Sequence, residues 1–222
     1  MELVNYFDYR FNQPIRKPKK ELPFITISRE TGCGASKIAK LLVKELKTRG
    51  QKWSYVDKEI LNESAKRLKI DKSKIEYVFD AVQKTHADEI LLALSTKYYK
   101  SDKAVRKVIA DVVKHTASEG NVIIVGRGGV SITSELKNGI HIRLSAPRDW
   151  RIESLMSRKK KLREDIISRI DESDKMRERM ITLFKKDKVL SNQFDMEINC
   201  AKFTKQQIVE LIAKVLDLKI SV

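Results

Sequence analysis

The chain has 222 residues, 41% of them hydrophobic, enough to build one sizeable core and too apolar for a disordered polypeptide. No apolar run approaches the roughly 20 residues that span a bilayer, and two cysteines are too few for a disulfide framework. A net charge of +16 points either to a phosphate-bearing partner, whether nucleic acid or small polyphosphate, or to a solvated lysine-rich surface.

Residues 1–21, with Pro14, Pro18, mixed charge and no period, read as an N-terminal extension. Phe24-Ile25-Thr26-Ile27-Ser28 alternates and is β-branched, which predicts a buried strand. Helical spacing begins soon after, at Ile38, Leu41, Leu42, Val43 and Leu46. Between the two lie Gly32, Gly34 and small residues, a composition that lets backbone amides face a phosphate at a helix N-terminus. The same composition suits a plain tight turn. With Gly34 as the glycine before the lysine of G-x-x-x-x-G-K-[ST], Ala35 stands in the lysine's place and Arg29 in that of the first glycine. Gly32, Cys33, Gly34, Ala35, Ser36 and Lys37 are the candidate phosphate binders. The Ser36 hydroxyl is a candidate ligand for Mg²⁺. Lys37 either restores the lost charge or points to solvent, and Cys33 is either a small loop residue or a thiol activated by the helix dipole.

Lys52 to Val56 reads as a second strand leading to Asp57, followed by helices at 58–68, 73–79, 87–97 and 102–117. Gly120 closes the last of these. Asn121-Val122-Ile123-Ile124-Val125 is continuous and apolar, as a central parallel strand should be, and Gly126-Arg127-Gly128-Gly129 follows it at once. Ile140 to Leu144 and Asp195 to Asn199 are the remaining strands, and a helix over 205–218 closes the chain. The alternation predicts a parallel sheet with helices on both faces. Ligands of such sheets bind beyond the carboxyl ends of the strands, where the Gly32 turn and Arg127 would meet.

The run from Arg163 to Arg177 alternates in charge. Asp174 and Arg177, three apart, share a helix face, and Arg169 lies eight residues before Arg177. Alone, the run reads as a solvated helix. Beside the glycine turn and Arg127 it reads as a lid that brings arginines to a transferring phosphoryl group and excludes water. His86, His115 and His141 share no spacing for a metal or a triad.

The ordered pieces ITISRETGCGASKIAKLL, YVDKEIL, NVIIVGRGG, HIRLSAPRDWRIESLM, Asp174-x-x-Arg177 and FDMEINCAKFTKQQIVELI span about residues 22 to 218. Together they resemble the cytidylate kinase-like family, relatives of the P-loop nucleoside monophosphate kinases. The resemblance implies an α/β P-loop NTPase fold: a five-stranded parallel sheet, helices on both faces, a helical acceptor-binding insertion at about 58–118 and a short lid at about 157–178. It implies ATP-dependent phosphoryl transfer to a nucleoside monophosphate, with a CMP-like acceptor and Mg²⁺ bridging the ATP phosphates. Arg127, Arg169, Asp174 and Arg177 would be catalytic, with Arg127 gripping the acceptor phosphate and Asp57 beside it. Gly128 stands where bacterial cytidylate kinases carry an aspartate that helps read the base, and the absent lysine is usual among these relatives. Two alternatives stay open: a catalytically silent nucleotide-binding protein of the same fold, and a nucleic-acid binder acting through the basic surface. The start of the chain, with neither a basic n-region nor an apolar h-region, gives the expectation of a cytoplasmic protein without a membrane partner.

Overall fold

The computed structural model describes residues 22–57, 62, 102–158, 162–184 and 193–220. The expected N-terminal extension and nearly all of the helices expected between 58 and 101 lie outside the described residues.

Five strands, β1 (Phe24–Arg29), β2 (Ser54–Val56), β3 (Val122–Val125), β4 (Gly139–Ser145) and β5 (Met196–Asn199), form one sheet in the order β2-β3-β1-β4-β5. Every pairing is parallel, with Ile25 opposite Ile123 on one side and Ile140 on the other. The middle strand is therefore β1 rather than the more apolar β3. Even so, β3 is interior, paired on both edges and buried along its whole length.

The period-two alternation sorts these strands between two cores. Ile25, Ile27, Ile123 and Val125 face one side, where they pack with Ile38, Leu42 and Leu46 of α1 (Ala35–Thr48). Phe24, Val122 and Ile124 face the other, against Ile109, Val112 and Val113 of α2 (Asp102–Ser118). Each fully buried side chain of this kind contributes about 1.5–3 kcal/mol relative to exposure, which is why continuous apolar runs end up covered on both faces. Between β1 and β4 the buried Thr26 hydroxyl and His141 Nδ1 satisfy each other at 2.8 Å. Burial holds the His141 imidazole below its usual pKa, although Asp195 nearby opposes this.

Two helices appear that the sequence pattern did not announce: the short α3 (Gly129–Thr133) directly after the Arg127 turn, and α4 (Arg148–Met156) after β4. The charged run forms α5 (Arg163–Leu183), which starts inside the expected lid segment and runs past its expected end near 178. It is not wholly solvated. Ile166 and Ile170, one turn apart, are buried against Ile152 of α4. The last helix, α6 (Lys205–Ile220), packs through Ile208, Val209 and Ile212 into the same core as α1. Because all strands run the same way, the turns after β1, β2 and β3 emerge on one edge and bring Gly32, Asp57 and Arg127 to it. Among the described residues, no helix is long and apolar enough to cross a membrane.

Candidate active site at the carboxyl edge of the sheet

The chain leaves β1 at Arg29 and enters α1 at Ala35, so Glu30 to Gly34 make the turn. Gly32 (φ 103°) and Gly34 (φ 72°) both adopt conformations that side chains resist, and Gly34 is the N-cap of α1 without any side-chain cap. Positive-φ residues in such a turn aim successive amides into one concavity. Within the turn, Cys33 N–H donates to the Glu30 carbonyl at 3.4 Å, and the N–H groups of Lys37 and Ile38 donate to the Gly34 carbonyl at 3.0 and 3.1 Å. Among the described residues, the amides of Gly32, Gly34, Ala35 and Ser36 find no acceptor. Four donors at the positive end of a helix make an anion cradle. Cys33 adds no open donor, since its amide is paired with the Glu30 carbonyl. Its thiol turns into the core, where a hydrogen bond with Cys200 and then burial push its pKa well up, so it remains a thiol.

Charge is gathered around this cradle from five elements. Asp57, at the end of β2, accepts a hydrogen bond from the Ser36 hydroxyl at 2.8 Å and stands 3.6 Å from the Arg29 guanidinium. Arg29 lies beneath the Arg127 turn: a Cβ on Gly126 would fall 1.6 Å from its Nη1. Burial lowers the Arg29 pKa to about 10. The charges of Arg177 and Arg127 push it the same way, and Asp57 opposes them. Three arginines therefore share one small volume. Arg127 itself holds a left-handed backbone, φ 58°, where a non-glycine residue is uncommon.

Asp174 ties α5 to the turn. Its Oδ1 accepts from the Thr31 amide and hydroxyl, both at 2.7 Å, and from Arg177 at 3.0 Å. Its Oδ2 accepts from Arg151 at 2.5 Å. Arg177 also donates to the Thr31 hydroxyl. Arg151, 8% exposed, further donates to the carbonyls of Ala146 at 3.0 Å and Thr31 at 3.3 Å, and lies 3.4 Å from a Glu30 carboxylate oxygen. Burial lowers the Arg177 pKa, against the raising influence of Asp174.

Of the expected residues, the structure brings together the turn from Gly32 to Ser36, Asp57, Arg127, Asp174 and Arg177. Arg169 is exposed, roughly 80° around α5 from Arg177, and is not gathered with them. Lys37 is also exposed. Asp57, expected beside the acceptor, meets Ser36 and Arg29. Sequence reasoning missed Arg29, Thr31 and Arg151. Arg29 ends a strand beside the glycines and was legible in principle, whereas Arg151 binds partners 23 and 120 positions away and left no local signal.

The Ser36 hydroxyl and the Asp57 carboxylate are oxygen donors placed side by side, the set that suits Mg²⁺ when substrate phosphates and water complete its shell. Counted from Gly34, Ser36 also occupies the hydroxyl position of the loop motif. Among the described residues, no three His, Cys, Asp or Glu side chains gather as a metal-holding group of their own.

A glycine turn from the middle strand of a parallel sheet into a helix, with arginines converging on it, defines a P-loop kinase-type protein. The sequence profile of the cytidylate kinase-like family matches residues 24–202, and the chain belongs to that family. An uncharacterized protein from Eubacterium ventriosum has the same fold, with a TM-score of 0.63 at 22% identity over 89% of this chain and 99% of that one. Shikimate kinase from Bacteroides thetaiotaomicron is similar at a TM-score of 0.49 and 14% identity over 88% of this chain and 98% of the enzyme. APS kinase from Mycobacterium tuberculosis is similar at 0.46 and 12% identity over 90% and 99%. No curated protein sequence matches.

Proposed function

We propose that the protein is a phosphotransferase that moves the γ-phosphoryl group of ATP to a nucleoside monophosphate, a CMP-like acceptor first among them. The observation that carries this reading is the set of four amides, Gly32, Gly34, Ala35 and Ser36, that find no acceptor among the described residues, with Arg29, Arg127 and Arg177 gathered nearby. The amides would hold non-bridging oxygens of the ATP phosphates. Arg127 would fork onto the acceptor phosphate from the end of β3. Arg29 and Arg177 would face the charge that spreads over the transferring group, and Asp174 with Thr31 would set the position of Arg177. The acceptor phosphate is largely dianionic at neutral pH and is itself the nucleophile, so no side chain has to remove a proton. Ser36 and Asp57 would hold Mg²⁺, which would supply neutralisation of the phosphate charge. The rest is positioning and exclusion of water. In this reading the segment at about 58–118, between β2 and β3, carries the acceptor site, and the segment at about 157–178 is the lid.

The test is a coupled kinase assay with Mg²⁺ and ATP against a panel of nucleoside monophosphates, run beside calorimetric ATP binding. Turnover with at least one monophosphate is expected. Tight ATP binding with no turnover across the panel would favour the silent nucleotide-binding protein that the loss of the loop lysine permits. Absence of both would remove the reading.

A further inference from the structure

A complete phosphate loop places a lysine on the β- and γ-phosphates, and this chain has Ala35 there. Three of the cations already described stand with carboxylates: Arg29 with Asp57, Arg151 with Asp174 and Glu30, Arg177 with Asp174. A second group of cations does not. A Cβ on Gly34 would lie 3.5 Å from Arg158 Nη1 and 3.6 Å from Lys205 Cε, so both side chains lie over the turn at the N-cap of α1. Arg158 is anchored there. It donates to Ser154 Oγ at 2.6 Å, and that hydroxyl donates to the Gly32 carbonyl at 3.3 Å.

Lys205 is placed against local preference. It is the first residue of α6, at the positive end of the helix dipole, in a first turn that holds no acidic side chain. Burial lowers its pKa, and the charges of Arg158 and Lys37 lower it further. Among the described residues, no carboxylate lies within ion-pair distance of Lys37, Arg158 or Lys205. A knot of like charges at a helix N-terminus is unfavourable by itself, and an anion seated between it and the turn offsets the repulsion. Local rules are broken in this way where function demands it.

We propose that Lys205, with Arg158 beside it, binds the polyphosphate of the donor nucleotide and supplies from the start of α6 the charge that Ala35 lacks. This rests on the reading of the Gly32–Ser36 turn as the ATP phosphate site. It assigns the role to a residue 170 positions from the loop, rather than to the exposed Lys37 within it.

Calorimetric titration of a non-hydrolysable ATP analogue, and separately of inorganic tripolyphosphate, into wild type and Lys205→Met decides it. Methionine keeps the aliphatic stem and removes the charge. Lys205→Met should weaken both probes by roughly ten- to a hundredfold, the range of one charge-assisted hydrogen bond, at an unchanged melting temperature of the free protein. Wild type and variant binding both probes equally would overturn this assignment alone. Weakened binding together with a lowered melting temperature of the free protein would assign Lys205 to the fold and overturn it too. Failure of wild type to bind either probe would overturn the phosphate-site reading, and this inference with it.

Discussion

Arg127 sits between two glycines, each of which adopts positive φ without cost, yet the arginine itself is left-handed at φ 58°. A side chain in that region costs about 1–2 kcal/mol, and a glycine would remove the strain while adding somewhat less than that in unfolded-state entropy. Its guanidinium is near enough to Arg29 for the two charges to repel, and in the proposed function it is the acceptor phosphate that needs it there. Arg127→Gly should therefore change stability by no more than about 1 kcal/mol in urea unfolding. The same variant should lower turnover by on the order of 2–4 kcal/mol in the transition state, roughly 30- to 900-fold. A large loss of stability with kinetics intact would make Arg127 structural. This residue was legible in the sequence because glycines flank it at the end of an unmistakable strand. Thr31 was not, since nothing in its neighbourhood of the chain announces that its amide and hydroxyl are taken by a carboxylate 143 positions away.

At the scale of elements, α5 is the part whose character changed most between sequence and structure. Its alternating charges predicted a solvated helix, and Arg169, Asp171 and Glu172 are indeed exposed. Two contacts hold it: the Ile166–Ile170 pair against Ile152 at one end and the Asp174 cluster further along. The first contact was readable as two isoleucines one helical turn apart. The second was not, because a carboxylate that binds a distant backbone amide looks like any other surface aspartate. Asp174→Asn removes the charge between Arg151 and Arg177 and should cost about 1–3 kcal/mol, less than a fully buried pair because the aspartate side chain is 21% exposed. Native-state hydrogen exchange should show faster exchange along Arg163–Leu183, with protection in β1 and β3 preserved. Uniformly faster exchange, or none, would contradict the view of Asp174 as the latch between α5 and the turn. The helix α4 escaped notice for a related reason: among its apolar residues only Ile152 is fully covered, too few for a visible period.

For the molecule as a whole, the sheet was nearly all legible. Each strand was expected within two residues of where it lies, since parallel strands covered on both faces must be apolar throughout or alternate between two cores. Strand order was harder, because apolar content marks β3 as interior but does not say that β1 is the middle strand. The charge of +16 was legible as a number and not as a place. The structure resolves part of it into two groups around one turn, arginines with carboxylate partners on Asp57 and Asp174, and Lys205 with Arg158 over Gly34. In the proposed function this turn holds the phosphates of ATP. A crystal structure of the protein with Mg²⁺ and a non-hydrolysable ATP analogue tests it most directly. Phosphate oxygens should lie on the amides of Gly32, Gly34, Ala35 and Ser36, with the metal beside Ser36 and Asp57. Nucleotide bound elsewhere, with those amides satisfied by the protein's own groups, would contradict it.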